Sequence, residues 1–244
     1  MEENVPERVE QRPGAVSIKP AWERLLLPIL GFLLIASVLW LSIQQNQSSR
    51  ALGDQQRNLA LSIAADQQRE IILSNYRDKI ADLMVHDNLL HAHASDASIL
   101  VANAYTLETL RRLDPDRKAA LLRFLYQTNL ISNDRRIISM READVRGAHL
   151  ANTDLRDTYL IGISLSGADL RGATLSDVNL TFANLSNVNL ANADLHACDL
   201  HNVNLTGTNL AGANLRDATG LNEDILSKAK SLTGATMPDG SVHR

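Results

Sequence analysis

The chain has 244 residues, a formal net charge of −4 and only 4% aromatic residues. That length admits one large domain or two small ones, and the mildly acidic balance gives no pointer to nucleic acid. The scarcity of Phe, Tyr and Trp excludes an ordinary mixed core, and the single cysteine, Cys198, excludes an internal disulfide and a thiolate-rich metal site.

Residues 1–24 form an N-terminal tail. Residues 25–43, LLLPILGFLLIASVLWLSI, follow as nineteen positions without a charge. As a helix they span roughly 28 Å, about the hydrocarbon thickness of a bilayer. Trp22 and Trp40 lie near the two ends of the run as interfacial anchors do, and Pro28 and Gly31 are tolerated in lipid. A cleaved signal peptide fits less well, because the leader carries Glu2, Glu3, Glu7 and Glu10 and no clear small-x-small site follows. A buried soluble helix is rarely so uniformly apolar. The segment reads as a single transmembrane helix whose partner is the lipid bilayer. Arg8, Arg12, Lys19 and Arg24 before it outnumber Arg50 and Arg57 after it, which favours a cytoplasmic N-terminus by two charges.

Residues 44–90 read as a long helical spacer with Gly53 as its weak point. DQQR occurs at 54–57 and again at 66–69. Ile72, Tyr76, Ile80 and Leu83 fall on one face at helical spacing. The Gln-rich, weakly charged surface suits either pairing between copies or a plain spacer. Asp87 to Ser98 is a break. His86, His91 and His93 lie close together there, but no carboxylate or cysteine completes a ligand spacing, so solvated loop histidines are the reading. Residues 97–131 read as a helical hairpin, its second helix opened by Asp114-Pro115 with acid in the first turn.

From Ala143 the chain runs in fives: ADVRG AHLAN TDLRD TYLIG ISLSG ADLRG ATLSD VNLTF ANLSN VNLAN ADLHA CDLHN VNLTG TNLAG ANLRD. The third place is Leu in every unit but the first, the first place is small or apolar, and the second is mostly Asn or Asp. Fifteen units in one register cannot be chance. A period of five is neither that of a helix nor that of an alternating strand.

On its ADL, ANL and VNL units the run resembles the pentapeptide-repeat family. The resemblance implies a mostly β fold over 138–220, a right-handed quadrilateral β-helix in which each unit is one side of a square and four units make a coil. It places the third residue inward as the main core: Val145, Leu150, Leu155, Leu160, Leu165, Leu170, Leu175, Leu180, Leu185, Leu190, Leu195, Leu200, Leu205, Leu210 and Leu215. Leucine at every side fills the middle without aromatics, and coils stack at roughly 4.8 Å. Stacking then runs twenty residues apart, so Leu150, Leu170, Leu190 and Leu210 share a column. Cys198 takes an inward first place as small filler. His196 and His201 lie on neighbouring sides and do not stack, and Phe182 takes a corner and shows its ring. The hairpin, through TLETLRRLD, DRK and LLRFLYQTNLI, resembles a segment of a membrane-linked bacterial subset of the family.

The open end of such a coil exposes edges that must be covered. Residues 221–244 read as a C-terminal cap, with a short helix capped by Asn222 and a PDG turn at 238–240. No phosphate loop, catalytic triad or metal cluster is legible, so the chain reads as a non-enzyme without cofactor. The expectation is a membrane-anchored scaffold that binds an unidentified protein and no nucleic acid, and that can pair with itself through the helical region or the cap. The alternative is a DNA mimic acting on DNA gyrase or topoisomerase. Residues 143–217 hold eight Asp against four Arg, well short of a duplex in charge density.

Overall fold

The computed structural model describes residues 21–93 and 96–244, with side chains from Pro28 onward. The tail, Trp22 and the N-terminal charges of the orientation argument lie outside the described side chains. The chain divides into two units between Ser62 and Ile63.

The first unit contains most of α1 (Ala21–Val85), a single helix where a span and a separate spacer were expected. Gly53 does not break it, since one glycine costs about 1 kcal/mol against alanine and sixty-four other residues continue the ladder. The apolar side chains from Ile29 to Ile43 are between half and three-quarters exposed. From Pro28 the helix is long and apolar enough to cross a bilayer.

The second unit begins with the last turns of α1, which stop at Val85 and not at residue 90. Asn88 then adopts a left-handed conformation and a short 3-10 turn covers Leu89–His91. Leu73, Tyr76, Ile80 and Leu83 recur at three and four residues and bury one face. Against it lie α2 (Ala97–Arg112) and α3 (Pro115–Gln127). The Asp114 carboxylate accepts from the Arg117 amide at 3.0 Å and Pro115 occupies the first helical position, so the expected start is present. The buried Tyr76 hydroxyl bonds the Thr106 hydroxyl at 2.8 Å. Its ring stacks on Tyr105 and meets Phe124 edge-on.

The hairpin ends at Gln127, short of residue 131. Asn129 turns left-handed, and Leu130 and Ile131 leave the helix to join the repeats. Ile131 O accepts from the Tyr159 amide at 2.8 Å, and Asp157 O accepts from the Asn133 amide at 2.8 Å. This segment closes one end of the coils. Helices and repeats share one continuous hydrophobic cluster, not two separate cores.

In the repeats, parallel bridges join residues twenty apart, from Asp144 with Ser164 to Asp199 with Thr219. Four five-residue units therefore make each turn of the chain. The β character differs from the expected mostly β content: pairing is by isolated single-residue bridges between turns, and no extended strand occurs among the described residues. The reason is geometric. Every fifth residue from Gly147 to Asp217 has φ between 56° and 72°, so the chain bends before a strand can lengthen. All fifteen third-place residues, Val145 to Leu215, are at most 2% exposed. The first places are buried beside them, and their polar groups bond backbone oxygens: the Thr158 hydroxyl donates to Leu155 O at 2.6 Å and the Thr208 hydroxyl to Leu185 O at 2.7 Å.

The cap 221–244 does more than cover the end. The register slips after Gly220, where α4 (Glu223–Leu226) forms under the Asn222 cap. The coil then resumes, with Asn209 bridging Ser231 and Asn214 bridging Thr236. These bridges are twenty-two residues apart instead of twenty, so the short helix is accommodated as a two-residue insertion. An antiparallel bridge from Thr236 to Val242 folds the last residues back over the edge.

Candidate binding surface

Second-place residues point outward and do two things. Their side-chain oxygens accept the amide two residues on, as Asn184 does from Ser186 at 3.1 Å and Asp194 from His196 at 3.2 Å. This local bond is a turn-forming habit of Asn and Asp and explains their preference at that place. Several also bond along the stack: Asn209 donates to Asn189 at 3.1 Å and Asn214 to Asp194 at 2.9 Å. The outward surface is thereby held in fixed rows.

The acidic charge on those rows is largely answered within each unit. Arg146, Arg156 and Arg171 stand two places after Asp144, Asp154 and Asp169 and bond them at 2.7–3.1 Å. Arg146 holds the Asp144 carboxyl well below the usual range, and Arg171 lowers that of Asp169. Burial of Asp154 works upward, yet Arg156 keeps its carboxyl low as well. Asp199 pairs with His201 at 2.6 Å, and His196 with Asp217 at 3.2 Å. The two histidines thus face separate carboxylates. Among the described residues no three His, Cys, Asp or Glu converge as metal ligands. Cys198 is buried and donates to Leu175 O at 2.8 Å, and burial pushes its thiol up to about 12.

At the helical end α3 is fastened to the first coil. Lys118, 7% exposed, reaches Asp144 at 3.2 Å, and His149 bonds Asp116 at 2.7 Å. Arg117 binds Asp66, Glu70 and Asp114 at 2.7–3.0 Å, tying α1 to α3. At the C-terminal end of α3 lies a cleft of about 670 Å³, lined by Tyr126, Asn129, Asn133, Asp134, Arg156 and Asp157 among others. Burial raises the Tyr126 phenol, and the Asp154 carboxylate beside it raises it further. Arg136 stacks over the Tyr159 ring at 4.4 Å. The cleft offers a mixed set of donors and acceptors, suited to a polar segment of a partner and not to an apolar ligand.

Two features escaped the sequence reading. The cleft joins residues 126–134 to 156–158, and no local pattern connects those segments. The corner conformation was legible in principle, because thirteen of the fifteen fifth places are Gly, Asn or Asp. The exceptions are Ala197 and Phe182, both left-handed, with Phe182 59% exposed.

Residues 138–177 and 179–217 match the family model described as pentapeptide repeats, in eight copies. Solved structures similar to the chain include HetL, a pentapeptide repeat protein involved in heterocyst differentiation regulation from Nostoc sp. strain PCC 7120. It is 35% identical over 43% of this chain and 56% of its own, with a TM-score of 0.22. Rfr23 from Cyanothece 51142 is 31% identical over 44% and 69%, with a TM-score of 0.29. The alr5209 protein from Nostoc PCC 7120 is 32% identical over 43% and 81%, with a TM-score of 0.27. The match to HetL spans just over half of that protein. No curated protein matches the chain.

Proposed function

We propose, from the premise that this chain belongs to the pentapeptide-repeat family, that it is a membrane-anchored, non-catalytic binding module. Its repeats form the family's right-handed quadrilateral β-helix, a reading supported by parallel bridges at twenty residues and a five-residue period. The anchor is the apolar helix from residue 25 to 43. The observation that carries the reading is the contrast between two surfaces of one chain. Ile29 to Ile43 expose large apolar side chains with nothing to bury them, while the repeats present rows of Asn, Asp and Arg already bonded to one another.

Unpaired apolar helices of that length are stable in lipid. Fixed polar rows recognise a partner by shape and hydrogen bonding, at little cost in side-chain ordering. The partner is a protein segment, met by the outward rows and the cleft near Arg156. The acidic residues do not favour a DNA-like reading, because Asp144, Asp154 and Asp169 each have an arginine of their own.

Photo-crosslinkers placed at Thr181, Ser186 and Asn133 of the full chain in its native membrane test this. The reading expects one discrete protein adduct, from a subset of the three positions. Labelling of nothing but lipid and solvent at all three would overturn it.

A further inference from the structure

We infer that α1 pairs with α1 of a second copy, in parallel and in register, along a seam that leaves the membrane and ends at Ile63. The inference rests on the anchored reading above, since two copies held in one bilayer present the same residues at the same depth.

The stretch from Gln44 to Ala64 is helical and exposed throughout. Ser, Asn, Asp and Gly53 interrupt its better helix formers, and helicity in proteins comes mainly from packing of a face. A heptad seam is present to be packed. Ser49, Leu52, Gln56, Leu59 and Ile63 alternate at three and four residues, with Leu at the d positions and Ile63 at a, the combination that favours two parallel strands. Leu52, Leu59 and Ile63 are 57%, 60% and 49% exposed.

Charge and chemistry choose a second copy as the occupant. The positions beside the seam are Ser48, Gly53, Gln55, Ala60 and Ser62, small or neutral. The three charges of this stretch, Arg50, Asp54 and Arg57, take the outer b and f positions, so two like copies meet without repulsion. Ser49 and Gln56 are the polar residues at a positions of this seam, and Gln56 is the longer. Its amide both donates and accepts, and it meets its own equivalent only in a parallel, in-register pair. Leu61 alone places a large apolar group on the outer side.

Towards the N-terminus the same register passes through Gln45 and then Ser42, Val38, Ile35 and Gly31. Small and β-branched residues on one face let helix backbones approach in lipid. Towards the C-terminus it reaches Asp66 and Glu70, whose carboxylates are held by Arg117 of the same chain, and the apolar seam stops. From Gly31 to Ile63 the contact runs roughly 50 Å at 1.5 Å per residue. With a helix about 10 Å wide this gives about 1,000 Å² in total, the lower bound for a specific interface. Confinement to one membrane raises the effective concentration and makes such an interface sufficient.

Single cysteines at Leu52, Asp54, Leu59 and Leu61 of the full chain in membranes test the pairing under mild oxidation. Cys198 is buried, so the unmodified chain is the blank. The seam predicts disulfide dimers from Leu52→Cys and Leu59→Cys, at least fivefold above Asp54→Cys and Leu61→Cys. Equal yields at all four positions, no dimer at any, or linkage to a different protein would overturn it. Carbonate extraction of the same membranes reports on the anchor separately. Protein released with the seam pattern intact sinks the anchor and keeps the pairing, and retained protein without the pattern does the reverse.

Discussion

The Nζ of Lys118 lies 3.2 Å from Oδ1 of Asp144, joining α3 to the first coil. Asp144 also bonds Arg146, and the two cations hold its carboxyl well below the ordinary range. A carboxylate lowered in the folded state contributes stability that is complete above its unfolded value of about 3.9 and is lost as pH falls below it. Asp144→Asn should therefore be less stable than the parent at pH 7 by about 2 kcal/mol, the size of a charge-assisted hydrogen bond. The gap should close as pH drops below about 4. Denaturant unfolding of the detergent-solubilised chain from pH 7 to pH 2 measures it, and a constant gap would contradict the assignment.

The repeat register makes a sharp pair of substitutions. Leu190 is fully buried between Leu170 and Leu210, so Leu190→Asp places a charge in an apolar interior at a cost of about 3 kcal/mol or more. Its neighbour Asn189 faces outward, accepting from Asn209 at 3.1 Å. Asn189→Ser loses the bond from Asn209 while the serine oxygen can still accept the Ala191 amide, so it should cost only about 1 kcal/mol. Thermal unfolding compares the two, and equal effects would refute the five-residue register.

Much of this architecture was legible because the repeats carry their own instruction. Leu at the third place and small residues at the first need no distant partner to be interpreted, and Asp114-Pro115 announces α3 locally. What was not legible depends on contacts remote in sequence. That Lys118 serves Asp144, that Ile131 pairs with Tyr159, and that Tyr126 lines a cleft with Asp157 follow from α3 lying on the first coil. The resumption of the coil at Ser231 was hidden for another reason. Two extra residues break the period in the sequence, while the backbone absorbs them in α4.

Corners give a prediction of opposite signs. Phe182 is left-handed with its ring exposed, a conformation costing an L residue about 1–2 kcal/mol that Asn tolerates better. Phe182→Asn should stabilise the chain by about 1 kcal/mol. At Gly220, with φ 81°, an added Cβ would collide with the backbone of Leu200 and His201. Gly220→Ala should destabilise by about 2 kcal/mol, backbone strain and clash combined. Loss of stability in the Phe182 variant would assign that ring a packing role.

The chain should be inactive on DNA gyrase. A DNA-like surface needs dense, uncompensated negative charge, and the outward Asp residues here are interleaved with arginines. The solubilised full chain should leave supercoiling unchanged at micromolar concentration. Strong, salt-sensitive inhibition, abolished by replacing Asp154, Asp169, Asp194 and Asp199 with Asn, would replace the scaffold reading with a DNA mimic.

The central claim is that an exposed apolar helix fixes this repeat protein in a bilayer, and carbonate extraction of membranes from cells expressing the full chain tests it most directly. High pH strips proteins held by charge or by partners and leaves those that span the lipid. With Phe32, Leu34, Val38 and Trp40 more than 60% exposed along the helix, and each buried apolar side chain favouring lipid by about 1.5–3 kcal/mol, the chain should remain in the pellet at its full 244 residues. Recovery of the full-length chain in the carbonate supernatant, or of a chain shortened by removal of residues 1–43, would contradict membrane anchoring by this helix.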